Sequence, residues 1–483
     1  MSKLSMVKEL NKYTRLLNNS MIFALGGFGS KFILILLVPF YTFILSSSDY
    51  GVVDLMTSTL SFLLPFVTLT IEQALLRFVI KKKERDTIEK YFSNSFFICF
   101  FMLFLFFIVT FFLYLFDFYE RKLIIYFYLM IFFSVTQVIY STYLRAIGKS
   151  KAFAISGVFQ VFVLCLSNVI FLLIFKMGVD GYLLSLILSS GVTTILCYFL
   201  SDKTFFSIKN FDKKVAIQML LFSLPLIPNF SMWWLVNNST RYVVLLYIGL
   251  TANGLFAVAS KVPTIINMFV TVFQQAWQIS AFEEFESKDK SVYYSTIFRM
   301  YYQFLFLIGS IILLLTKYVF SYFLADEYYS AWVAVPFLVL SILYQTFSAF
   351  LGTIYTAYFK TKNIFLTSCI GATLAITFNF LLVPHWGLMA AGLGASLGFI
   401  VMMILRLIDT RRMVNMSINY IEFCLLNFIY IVQAIILINY QDISSSNMLF
   451  IQLLFVLVFL FISREFLKIT HNFVLRLIFK SHN

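Results

Sequence analysis

Charge is what this sequence has least of. Only 12% of its 483 residues are Asp, Glu, Lys or Arg, while 61% are hydrophobic, and apolar runs near 20 residues recur from end to end. A soluble globular protein is excluded, and a polytopic helical membrane protein is expected. Histidine is scarcer still, with three residues (His385, His471 and His482) that are far apart. The five cysteines (Cys99, Cys165, Cys197, Cys369 and Cys424) lie in separate apolar runs without a CxxC or His/Cys cluster. Neither a disulfide framework nor a metal site is expected, and no cofactor is implied. Also missing are GxGxxG, HExxH and GxSxG patterns, a paired-carboxylate site and any sizeable loop on the outer side. A membrane glycosyltransferase, polymerase or ligase commonly needs such a loop or acid pair, so the chain is not expected to be an enzyme.

A cleavable signal pattern is lacking too. The basic start (Lys3, Lys8, Lys12, Arg15) leads into a full-length apolar span, so the first helix is expected to act as its own insertion signal.

What charge there is has a pattern. The formal net charge is +14, and the cations gather in alternate connections: Lys81-Lys82-Lys83, Lys149/Lys151, Lys213-Lys214, Lys360/Lys362 and Arg411-Arg412. The opposite loops hold only Arg121, Lys122, Lys176 and Lys317. By the positive-inside rule this predicts about fourteen membrane helices, the first near residues 20–45 and the last near 446–464, with both termini cytoplasmic. The basic balance is then a topology signal, and no nucleic-acid partner is expected.

The chain repeats itself. Gly51 and Phe66-Val67-Thr68 recur as Gly254 and Phe269-Val270-Thr271 at one offset. Lys149, Lys151, Asn168, Gly181 and Ser185 recur as Lys360, Lys362, Asn379, Gly392 and Ser396 at another. An all-α polytopic fold follows, with two parallel six-helix repeats plus two extra C-terminal helices. The expected divisions are an N-terminal lobe at 1–200, a cytoplasmic linker at 201–214, a C-terminal lobe at 215–410, and the extra pair with its tail at 411–483. Within that tail, Phe466 to Lys480 mixes apolar residues with Lys468, Arg476 and Lys480, the pattern of a helix lying in the membrane interface.

Four cations sit inside spans: Lys31, Arg77, Arg241 and Lys261. A charge near mid-bilayer costs about 2.5–3.5 kcal/mol on insertion scales, so such residues face a wet cavity or a partner. Arg77 lies one turn from Lys81 and has the option of snorkelling to the surface. None is matched by a cation in the other repeat: Lys31 faces Trp234, Arg77 faces Ser280, Arg241 faces Val38 and Lys261 faces Ser58. The scaffold is therefore buildable without them, which favours a ligand role. Acids inside spans are fewer. Asp54 follows the first outer turn, SSSDYG, and Glu72 precedes Arg77 by five residues; both are candidates for coupling or charge pairing, with Glu72 placed to neutralise Arg77 or another cation. A net-positive cleft selects an anion. Trp233, Asn237, Gln275 and Trp277 are the further candidates for contacting a substrate, since aromatic faces and amides suit sugar rings and hydroxyls.

The stretch NSMIFALGGFGSKFILILLVPFYT…SSSDYGVVDLMTSTLSFLLPFVTLTIEQALLRF, with WWLVNNSTRYVVL, LTANGLFAVASKVPTI and FQQAWQISAFEE in the second half, resembles the bacterial Wzx-type polysaccharide flippases. These form the polysaccharide transporter family of the multidrug/oligosaccharidyl-lipid/polysaccharide exporter superfamily. The resemblance covers roughly residues 15–410. It implies a flippase of the bacterial cytoplasmic membrane that moves a polyprenyl-pyrophosphate-linked oligosaccharide repeat unit to the outer leaflet by alternating access. A polysaccharide polymerase and glycosyltransferases are its implied partners. In related flippases a basic residue stands where this chain has Lys261 in Ala259-Ser260-Lys261-Val262-Pro263, which implies substrate contact there. Many relatives show Asp-Arg where Thr240-Arg241 stands here, a departure that puts ion coupling through that acid in doubt. A multidrug or cation antiporter of the same superfamily is the rival reading, opposed by the sign of the embedded charge.

Overall fold

The computed structural model describes residues 33–79, 82, 84–117, 120–204, 206–283, 289–358, 360–440 and 446–464. Lys31 and the interfacial helix expected at 466–480 lie outside this set. Among the described residues there is no strand, and eleven helices are long and apolar enough to cross a membrane. The chain is a multi-pass membrane protein. The first half runs α1 (Ile33–Ile44), α2 (Ser47–Thr68), α3 (Ile71–Val79), α4 (Arg85–Leu115), α5 (Arg121–Ala146), α6 (Ser150–Asn168) and α7 (Gly178–Leu200). After α8 (Lys213–Ser223), the second half runs α9 (Ile227–Tyr247), α10 (Leu250–Ala259), α11 (Lys261–Glu283), α12 (Lys290–Tyr322), α13 (Val335–Ala357) and α14 (Thr361–Thr410), then α15 (Tyr420–Asn439) and α16 (Ser446–Ile462). The expected count of about fourteen is compatible with this. α14 is two segments joined at Gly387, whose φ of 60° and ψ of −139° lie outside the helical region, a conformation open to glycine.

Local chemistry sets several helix boundaries. The polar turn expected at Ser46–Gly51 is mostly helix: Ser46 Oγ accepts the Asp49 N–H at 3.1 Å, and Asp49 lies in the first turn of α2. A serine cap with an acid beside the helix N-terminus satisfies and neutralises that end. α2 stops at Leu69 and Thr70, both left-handed at φ 51°, an uncommon conformation for residues with a Cβ. Cross-helix bonding holds them there. The buried Thr70 hydroxyl donates to the Ser223 carbonyl at 2.7 Å, and the Thr70 N–H reaches Thr68 Oγ1 at 3.2 Å.

The chain divides into two compact units, Met1–Trp234 and Leu235–Asn483. The segment read from sequence as a linker, 201–214, stays with the first. Ser93 Oγ accepts the Ser207 N–H at 3.1 Å, Asn94 Nδ2 donates to the Asn210 carbonyl at 3.3 Å, and Tyr140 Oη donates to the Thr204 carbonyl at 3.3 Å. Lys149 Nζ, 2.6 Å from Asp202 Oδ1, holds that exposed carboxyl below its usual range. The second unit fastens the connection after α14 the same way. Ser295 Oγ accepts the Ser417 N–H at 2.9 Å, and Tyr358 Oη donates to the Met413 carbonyl at 2.7 Å.

The repeat is visible inside each unit. Asn168 Nδ2 of α6 donates to Tyr41 Oη of α1 at 2.8 Å, and its counterpart Asn379 Nδ2 of α14 donates to Thr240 Oγ1 of α9 at 2.9 Å. Such bonds fix helix to helix where lipid offers no partner. In the first unit the core gathers Ile71, Phe92, Ile131, Val135 and Leu144 from α3, α4 and α5. In the second, α13 is buried along nearly its whole length.

Two cations of the second unit are buried, Lys317 elsewhere than expected and Arg406 without having been singled out from sequence. Lys317, read as an outer-loop residue, is fully buried in α12. Its Nζ sits 4.2 Å from the centre of the Trp332 ring and donates to the Tyr440 carbonyl, so an aromatic face and a helix-end carbonyl replace water. Arg406, 2% exposed, donates to the Ser348 carbonyl at 2.7 Å, Ser368 Oγ at 2.8 Å and Thr367 Oγ1 at 3.1 Å.

A cationic cavity in the second unit

Asn237, Asn238 and Arg241 occupy neighbouring positions on α9. Asn237 and Arg241, four residues apart, share a helix face. α10 ends at Ser260, and α11 begins at once with Lys261. Thr264 and Asn267 follow Lys261 at three and six residues and continue its face. These two faces, with Gln345 and Ser341 of α13, line an open cavity of about 250 Å³. Its apolar wall comes from Val236, Phe256, Pro263, Leu338, Ile342 and Phe399.

The polar lining is organised. Arg241 Nη1 donates to Asn238 Oδ1 at 2.9 Å, and Nη2 stands 3.5 Å from Ser260 Oγ. Its guanidinium carbon lies 5.8 Å from the centre of the Phe256 ring. Gln345 Nε2 donates to Asn237 Oδ1 at 3.0 Å, orienting that amide. Ser260 Oγ donates to the Ala257 carbonyl at 2.7 Å, leaving its lone pairs toward Arg241. Two cations, several amides and two threonines thus line one small volume, and no carboxylate lines it among the described residues. Such a lining is chemically suited to an anion and to hydroxyl groups.

The candidate residues separate into groups. Arg241, Lys261 and Asn237 come together in the cavity. Trp233 lies on α9 and Gln275 on α11, with side chains outside the described set. Trp277 is in the core of the second unit, 3% exposed, stacked on Phe350 at 4.2 Å and donating to the Phe350 carbonyl at 3.4 Å. Arg77 is exposed on α3, while Asp54 is buried on α2. Glu72 has one carboxylate oxygen, Oε2, buried without a partner; among the described residues it forms no ion pair with Arg77. Trp234 Nε1 donates to the Ser58 carbonyl at 3.0 Å and to Ser61 Oγ at 2.9 Å. Thr264, Asn267 and Gln345 were not singled out from sequence; helical spacing from Lys261 points to the first two, and nothing local points to Gln345.

The described residues thus form a helical membrane bundle with an internal repeat, and solved structures agree on the fold. The lipid II flippase MurJ in an inward closed conformation matches at a TM-score of 0.65 with 13% identity, covering 93% of this chain and 99% of that one. An inward-facing multidrug resistance MATE family transporter of the MOP superfamily matches at 0.63 with 13% identity, covering 79% and 95%. A MOP superfamily transporter from Pyrococcus furiosus matches at 0.53 with 12% identity, covering 82% and 95%. No curated protein matches the sequence. Residues 16–278 match the family model described as polysaccharide biosynthesis protein. The chain belongs to that family.

Proposed function

We propose that this protein is a flippase, carrying a polyprenyl-pyrophosphate-linked oligosaccharide repeat unit from the inner to the outer leaflet of the bacterial cytoplasmic membrane for surface polysaccharide assembly. The observation that carries this reading is the cavity in which Arg241 and Lys261 stand among amides and hydroxyls without a lining carboxylate. A pyrophosphate matches the cations, and sugar hydroxyls match Asn237, Asn267 and Gln345. Family membership points to polysaccharide synthesis, and the fold is shared with a lipid II flippase. On this reading Lys31, outside the described residues, is a further candidate to meet the pyrophosphate during transport, Arg77 attracts the headgroup on the cytoplasmic side, and alternating access moves it across. An inside-negative potential favours outward movement of an anion by about 2.3 kcal/mol per charge per 100 mV. A cation antiporter would need the opposite lining charge.

The test is surface-polymer export in cells carrying Lys31→Ala or Arg241→Ala. Each variant is expected to be inserted normally and to abolish export. Wild-type export from both would overturn the proposal.

A further inference from the structure

The first unit contains an apolar groove of about 520 Å³ that the transport reading does not use. It lies between α5 and α7. Its floor is Phe96, Thr136, Tyr140 and Ile187, all buried, and its rim is Leu188 and Ile195, both exposed. The hydroxyls that line it are already engaged: Thr136 Oγ1 with the Phe133 carbonyl at 3.0 Å, Thr194 Oγ1 with the Ser190 carbonyl at 2.9 Å, and Tyr140 with Thr204. The groove therefore presents hydrocarbon. Along α7 its lining runs from Leu184 to Ile195, about 16 Å at 1.5 Å per residue. That is about half of the roughly 30 Å hydrocarbon core, the depth of one leaflet.

One end of the groove is charged. Phe206, on the connection after α7, lines the groove and stacks on Phe96 at 5.6 Å. The same connection carries Lys203 and Lys209, both exposed. Each is three residues from Phe206 and so within about 10 Å of it. The neighbouring acids are occupied, Asp202 by Lys149 and Asp212 as the cap of α8.

We infer that this groove holds one acyl chain of an anionic glycerophospholipid from the leaflet on the basic side, with its phosphate against Lys203 and Lys209. The one-leaflet depth fits an ordinary acyl chain, whereas a long polyprenyl tail overruns it. Seated there, the lipid packs beside Phe206 and adds to the hydrogen bonds that fasten Thr204, Ser207 and Asn210 to α4 and α5.

The inference is independent of the proposed cargo, and native mass spectrometry of the purified full-length protein tests it without a transport assay. Wild-type protein titrated with phosphatidylglycerol is expected to retain one lipid at least about fivefold more tightly than it retains phosphatidylcholine. Thr194→Trp, which fills the groove, is expected to lose that binding while melting at the wild-type temperature when no lipid is added. Lys203→Glu/Lys209→Glu, confined to the surface, is expected to lose the preference for the anionic lipid. Wild-type binding by both variants overturns the site, as does a wild-type protein that holds neither lipid. Displacement of phosphatidylglycerol by an equal concentration of polyprenyl phosphate overturns the occupant.

Discussion

In the first unit the second helix of the repeat breaks at Leu69 and Thr70; in the second unit the corresponding helix breaks at Ser260. The breaks are not equivalent positions, because Gly51 aligns with Gly254 and that register sets Ser260 opposite Thr57. Each break is followed by a cation. After the first, Thr70 bonds to Ser223 and Arg77 ends on an exposed face. After the second, the Ser260 hydroxyl approaches Arg241 and Lys261 lines a cavity. What the two halves share is packing, such as Asn168 with Asn379, Ser185 with Ser396 and Ser93 with Ser295. What they do not share is the placement of charge, and on the proposed function that difference is what receives the cargo.

The largest effect expected on this comparison is at Arg241. Hydrogen bonds to charged groups contribute about 1.5–3 kcal/mol each, so Arg241→Ala is expected to weaken cargo binding by roughly 10–100-fold, while Arg241→Lys keeps the charge, loses the forked geometry and falls between. Next come the paired glycines. A Cβ on Gly392 would meet the Leu338 nitrogen at 2.7 Å, whereas one on Gly181 would meet Phe171 and Met177 at 3.1 Å. Gly392→Ala is expected to destabilise by about 2–3 kcal/mol and Gly181→Ala by about 1 kcal/mol or less, by analogy with overpacked cores; thermal melting in one detergent compares them. Equal losses would mean that the copies are packed alike. Arg77→Ala, at an exposed position, is expected to slow export only a few-fold in the assay that Arg241→Ala abolishes. The smallest effect is at the clasps, where Ser93→Ala removes one hydrogen bond worth about 1 kcal/mol and Ser295→Ala removes the matching bond together with its donation to the Ser291 carbonyl at 2.6 Å; both are expected to lower the melting temperature slightly, Ser295→Ala the more.

The membrane class and the repeat were legible because both rest on long-range periodicity, which hydropathy and constant offsets expose. The association of Asn237, Arg241 and Lys261 was partly legible, since embedded cations without counterparts stand out in an apolar chain. Thr264 and Asn267 needed the step of extending the Lys261 face by helical spacing. Gln345 is remote in sequence and polar residues are common at span ends, so only folding reveals it. Lys317 misled because it follows the last strongly apolar stretch of its span; the helix continues to Tyr322, and the partners that bury the charge, Trp332 and Tyr440, lie on other elements. Trp277 and its ring neighbours show the converse: an aromatic that suits a sugar also suits a core, and its stacking on Phe350 places it in the latter.

The most direct measurement is equilibrium binding of a polyprenyl-pyrophosphate-linked saccharide to the purified protein and to Arg241→Ala/Lys261→Ala, with the matching monophosphate as comparison. The account predicts that the double variant binds the pyrophosphate form at least about tenfold more weakly and no longer distinguishes it from the monophosphate. Wild-type affinity and wild-type discrimination in the double variant would contradict it.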